Sequence, residues 1–196
     1  MLLAAALEEF AAKGFAGARV ADIADRAGLN KQLINYYFES KQGLYRAVQR
    51  SWLEREATFT DPELPLEEIA GRYLHDALAD PRAMRLVIWR GLSDGEEVPP
   101  DEQPERQDIS GMRRRQSAGQ IAAELDPGCV LLALMGAIAA PIAMPQMVKR
   151  IFGLDPSEPE FEERYGEQLR RIIGRLAEPQ RDEAISQKED RSDAVQ

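Results

Sequence analysis

The chain holds one cysteine, Cys129, and one histidine, His75, among its 196 residues. A lone cysteine excludes an internal disulfide and suits a reducing, cytoplasmic setting. One histidine and one cysteine leave no repeated metal-ligand spacing and little material for a Cys–His or Ser–His nucleophile. No metal, no cofactor and no enzymatic activity is therefore expected. The glycines make no phosphate-binding loop, strand-type alternation is almost absent, and no internal repeat occurs. The apolar start from Met1 to Leu7 lacks a basic flank and runs at once into Glu8 and Glu9, which argues against a signal peptide. An excess of basic charge is missing too. The net charge is −9, which at first sight speaks against nucleic acid.

The charge is unevenly spread. Residues 1–56 carry 8 Lys/Arg against 7 Asp/Glu, so the whole acidic excess lies beyond them. A near-neutral N-terminal unit on an acidic body suggests two jobs, and any phosphate affinity must come from a local patch. Apolar residues make up 44% of the chain and charged residues 30%, enough for a packed core at this length.

Helical periodicity runs nearly throughout, which predicts an all-α fold. A first helix spans about 2–13, with Leu3, Leu7 and Phe10 on one face and Gly14 as its cap. Val20, Ile23, Ala24 and Ala27 mark a short second helix ended by Gly28. Asn30 caps a third reaching about Tyr37. Ser40 caps a fourth with the stripe Leu44, Tyr45, Val48 and Trp52. Helices follow at 66–79, 82–92, about 109–125, from Pro127 to about Val148, and 160–176. The proline-rich acidic stretch 93–108 reads as a loop and the polar 178–196 as a disordered tail.

Three short helices joined by tight turns within 38 residues have the form of a helix-turn-helix. Its second helix packs so that the third can enter the major groove. On the third helix Lys31, Gln32 and Asn35 share a face with Leu33 beside them. Gln and Asn can bond adenine in bidentate fashion, Lys can reach guanine or phosphate, and Leu can touch a thymine methyl. Tyr36 and Tyr37 offer hydroxyls to phosphates. Lys41, at the next helix start, suits a phosphate or is simply solvated. Arg19 reaches phosphate or is merely exposed.

The run Val20-Ala21-Asp22-Ile23-Ala24-Asp25-Arg26-Ala27-Gly28-Leu29-Asn30, followed by Ile34-Asn35-Tyr36-Tyr37-Phe38-Glu39-Ser40-Lys41-Gln42-Gly43-Leu44-Tyr45, resembles the TetR family of bacterial regulators. Leu7-Glu8-Glu9-Phe10 and Lys13-Gly14-Phe15 fit the same pattern. The resemblance covers about residues 1–56. Two departures stand out: the chain begins inside the family's first helix, without its basic arm, and Asn35 stands where Tyr is common. The resemblance implies a DNA-binding domain at 1–56 and a helical ligand-binding and dimerisation bundle at 57–177. It also implies a homodimer, a near-palindromic DNA operator, a small-molecule inducer, and repression more often than activation. A helical protein-interaction module without DNA binding is the alternative.

Pro127 to Val148 holds no charge and is long enough for a membrane span, but its prolines, alanines and Gln146 favour a buried helix kinked or bounded at Pro141. No membrane partner is expected. This helix and the last one are expected to form the dimer interface. Met84, Trp89, Met112, Met135 and Ile138 are candidates to line a ligand cavity or to be ordinary core. His75 reads as a partly buried or surface residue, Cys129 as an inert buried thiol rather than one activated by its helix start, and Arg113-Arg114-Arg115 as a solvated face by default, with an anionic ligand or a partner as the alternative.

Overall fold

A computed structural model describes residues 1–92 and 107–177. The expected loop at 93–108 falls almost wholly, and the expected tail at 178–196 entirely, outside the described residues. Among the described residues the structure is all helical.

The head is built from α1 (Leu2–Gly17), α2 (Val20–Ala27), α3 (Lys31–Phe38) and α4 (Lys41–Phe59). Gly14 takes φ 68°, ψ 176°, so α1 breaks there before a final helical turn. The left-handed conformation suits glycine because it has no Cβ to clash. Phe10, Ala6, Ile23, Ile34 and Leu44 are almost wholly buried and form the centre of the head. Phe10, Phe15 and Tyr45 pack ring to ring, with Tyr45 edge-on to both at 5.0 and 5.2 Å.

The body holds α5 (Leu66–Ala79), α6 (Arg82–Leu92), α7 (Ser110–Ser117), α8 (Pro127–Ala143), α9 (Pro145–Phe152) and α10 (Pro159–Gly174). Its core joins Leu66, Leu74, Met112, Ile121, Ile138 and Ile173. Helix α6 crosses to the head: Leu86 belongs to the head's core, and the Trp89 indole donates to the Ala11 carbonyl at 3.2 Å.

Four features differ from the sequence expectation. The helix expected at 109–125 ends at Ser117. Gly119 turns the chain at φ 75°, and the Gln116 amide donates to the carbonyls of Ala122 and Leu125 at 3.0 and 2.7 Å, holding the turn. The helix expected at 127–148 is two helices, α8 and α9, bent by 86°. The bend falls at Met144 (φ −132°, ψ 57°), because the proline ring of Pro145 pushes the preceding residue out of the helical region. Pro141 stays inside α8. Its missing N–H leaves the Ala137 carbonyl without its helical donor, and the Tyr165 hydroxyl donates there at 2.9 Å. No single helix among the described residues is long and apolar enough to cross a membrane.

The third difference is Arg115. It is buried to 9% exposure rather than solvated. Its guanidinium donates to the carbonyls of Leu64 and Pro62 and to the Gln120 side chain at 2.6, 3.0 and 2.8 Å. Burial holds its pKa below the usual arginine value. Cys129 is likewise exposed, not buried, because α8 turns that residue away from the face carrying Val130 and Ile138. His75 is exposed and bonds Glu162 Oε1 at 2.6 Å, tying α5 to α10.

Candidate nucleic-acid interface

Helix α3 is set by its two ends. Asn30 Oδ1 accepts from the Gln32 N–H at 2.8 Å, satisfying one of the free donors of the first turn. Before it, Gly28 adopts φ 65°, ψ 31°, and the Leu29 N–H returns to the Ala24 carbonyl at 2.9 Å. This is the left-handed turn that lets α3 follow α2 closely. Beyond α3, Glu39 takes φ 61°, ψ −40° and the Ser40 N–H reaches the Phe38 carbonyl at 2.6 Å. This three-residue γ-turn is strained for a non-glycine residue. Ser40 Oγ then accepts from the Gly43 N–H at 3.0 Å and starts α4.

A single residue anchors α3 from below. Ile34 is 1% exposed and packs into the head core. Around it Lys31, Gln32, Leu33, Asn35, Tyr36 and Tyr37 are all exposed, Tyr36 at 79% and Tyr37 at 67%. The two tyrosine rings meet edge to face at 5.3 Å. Leu33 and Tyr37 also border an apolar hollow of about 310 Å³ with Leu2 and Leu29. An eight-residue helix is about 12 Å long, short enough to lie in a major groove about 12 Å wide. Arg19 is exposed at the N-terminal end of α2.

Lys41 is placed differently from a free phosphate ligand. Its Nζ donates to the carbonyls of Ala18 and Ala16 at 2.8 and 3.2 Å and stands 4.5 Å from the Phe15 ring centre. The ammonium thus closes the end of α1 with positive charge at a helix C-terminus.

Sequence reasoning missed the clamp behind α2. Glu9 is 1% exposed, and Lys13 pairs with it at 2.5 Å and with Asp22 at 2.9 Å. Arg26 lies 3.8 Å from the same carboxylate. The hydrogen bond from Lys13 holds Asp22 below the usual carboxylate pKa, and its bond to Glu9 raises that of Lys13. The i, i+4 spacing of Glu9 and Lys13 is visible in the sequence. The burial of Glu9 is not.

The five ligand candidates do not converge on one cavity. Met112 and Ile138 are buried in the body core and Met84 packs against it. Met135 is 47% exposed and Trp89 38%. A cleft of about 560 Å³ lies elsewhere, between α1, α4 and α6, and none of the five lines it. Met and Trp at helical spacing mark apolar faces, and those faces meet core, head or solvent here.

Residues 2–48 match the family described as bacterial regulatory proteins of the tetR family, and residues 65–175 match the tetracyclin repressor-like C-terminal domain. The HTH-type transcriptional repressor SCO4008 of Streptomyces coelicolor is 32% identical over 87% of this chain and 92% of its own length. The regulator RutR of Escherichia coli K12 is 42% identical over 72 residues, covering 35% of this chain and 34% of RutR. The crystal structure of the putative transcriptional regulator SCO4942 from Streptomyces coelicolor is 27% identical, with a TM-score of 0.68 over 87% of this chain and 95% of that one. An exposed α3 on a packed three-helix support, a helical body and two matches that together span most of the chain give one conclusion. This chain belongs to the TetR family of DNA-binding transcriptional regulators, which are not enzymes, and the reading as an interaction module without DNA binding is not favoured.

Proposed function

We propose that the chain is a cytoplasmic, dimeric repressor that reads a near-palindromic operator with α3 and lets go when a small molecule binds its body. The observation that carries the reading is Ile34. Buried below α3, it fixes the helix so that Lys31, Gln32 and Asn35 face away from the protein. Gln32 and Asn35 then supply base contacts, Leu33 an apolar one, and Lys31, Tyr36, Tyr37 and Arg19 hold the phosphates. Lys41, at the start of α4, supports this surface by bracing α4 against the end of α1.

The dimer reading rests on an unpartnered apolar face. Leu132 is 72% exposed, Met135 47% and Ile172 60%, on α8 and α10, and α8 carries no charge that would favour water. Pairing α8 and α10 with those of a second copy covers this surface. Two α3 helices about 34–36 Å apart then meet successive major grooves. An inducer acts by binding better to a state with another spacing.

Footprinting on the DNA flanking the gene tests the reading. Protection of an inverted repeat is expected, with Gln32→Ala and Asn35→Ala changing the preferred bases and Lys31→Ala weakening all sequences alike. Unchanged affinity and preference in both Gln32→Ala and Asn35→Ala would overturn the assignment of the face.

A further inference from the structure

The cleft between head and body is not needed for DNA recognition. At about 560 Å³ it lies within the range of small-molecule sites. Its walls are apolar where the three helices meet: Leu3 and Leu7 of α1, Val48 and Trp52 of α4, Leu86 and Val87 of α6. Leu53 and Val87 at the rim remain 54% and 53% exposed.

The charged groups on the rim are Arg55, Arg82, Arg90 and Asp80. Two of the guanidiniums already have partners. Arg82 holds both oxygens of Asp80, at 2.7 and 2.8 Å, and Glu8 at 3.3 Å. Arg55 pairs with Asp76 at 2.5 Å and with Asp80 at 3.6 Å. Arg90 is exposed, and no ion pair or hydrogen bond engages its side chain among the described residues. An apolar trough thus ends at a cation without a partner among the described residues. Its chemical complement is a molecule with an apolar tail and a single carboxylate.

We propose that this cleft is an effector site for an amphipathic carboxylate, with the tail against Trp52, Val48 and Leu86 and the carboxylate on Arg90. The site deepens the regulator reading of the preceding section and rests on it for its consequence. Helices α1 and α4 carry the head, while α6 comes from the body and reaches the head core through Leu86. An occupant that prefers a wider cleft moves α6 away from α1 and changes the tilt of the head. It releases DNA only to the extent of that preference.

Isothermal titration of the full chain with decanoate, well below its micelle concentration, tests the site, with decylamine as the control of equal tail and opposite charge. Saturable decanoate binding with quenching of tryptophan emission is expected, and none with decylamine. Arg90→Ala should weaken decanoate binding about tenfold, the loss of one charge-assisted contact, and Arg90→Lys should keep most of it. Val87→Glu, at an exposed rim position, should abolish binding without unfolding the chain. Equal binding of the two probes, or decanoate affinity unmoved by both Arg90→Ala and Val87→Glu, overturns the site. A gel shift on the protected repeat separates the two levels. If decanoate saturates the cleft but the chain binds no DNA, the site stands and the regulator reading falls. If DNA is held and decanoate neither binds nor releases it, the site alone falls.

Discussion

Replacing Gly43 by alanine should dislodge the recognition helix more than any other single methyl group in the head. A Cβ built at Gly43 lies 2.0 Å from the Phe38 carbonyl oxygen and 3.1 Å from its carbon. Non-bonded carbon and oxygen do not approach so closely, and neither partner is a flexible side chain. The Phe38 oxygen is pinned by the Ser40 N–H, and Gly43 by Ser40 Oγ. Relief therefore requires α3 and α4 to separate by more than an ångström. Overpacking of this kind costs about 1–3 kcal/mol, and a backbone clash belongs at the upper end. For a protein of this size each kcal/mol lowers Tm by about 2–4 °C, so a drop of roughly 6–12 °C is expected. Gly28→Ala gives the scale: it meets no atom within 4 Å but must hold φ +65°, a strain of about 1–2 kcal/mol. Gly91→Ala, with open space and no positive φ, should not lower Tm. Scanning calorimetry reads all three. Operator binding should fall in Gly43→Ala even below its melting range. A Tm for Gly43→Ala equal to that of Gly91→Ala would refute the account of the α3–α4 junction.

Four further outcomes follow from the same geometry. Glu39→Gly relieves a strained γ-turn and should stabilise the chain by about 1 kcal/mol, read as a higher urea midpoint. Lys41→Met strips charged donors from two carbonyls and should cost about 2 kcal/mol; unchanged stability with weaker DNA binding would instead make Lys41 a phosphate ligand alone. Tyr165→Phe leaves the Ala137 carbonyl without a donor and should cost about 1–3 kcal/mol by urea unfolding. Asp126 accepts from the Cys129 N–H, which holds its carboxyl below the ordinary 3.8. A depressed carboxylate contributes its stability fully above the unfolded value and loses it as pH falls through the folded one. Asp126→Asn keeps the cap but not the charge, so its stability should fall less steeply than wild type below about pH 4.

What could be read from the chain, and what could not, divides by distance. Asn30, Ser40 and Asp126 cap their helices through bonds that close within three residues, so the letters alone place those starts. Gly28 announces its left-handed turn for the same reason. The exposed face of α3 was legible because one buried residue in eight, Ile34, leaves the others little choice. Where the outcome depended on a remote partner, the sequence was silent. Pro141 and Pro145 look alike in a string of letters. The Tyr165 hydroxyl, 28 residues away from Ala137, lets the helix run through the first, whereas the second opens α9 beyond the bend. Arg115 reads as solvated until the carbonyls of Pro62 and Leu64 arrive from more than fifty residues upstream. The stripe ending in Trp52 was visible, but its meeting with Leu86 and Val87 in one cleft depends on α6 crossing to α1.

That crossing sets where the chain can be cut. Leu86 joins the head's core from outside its sequence limits, so a fragment ending at residue 56 loses a core leucine and bares the apolar face that it covers. Chimaeras that swap operator specificity between relatives should exchange α6 together with α1 to α4, or rebuild the surface on which that leucine rests.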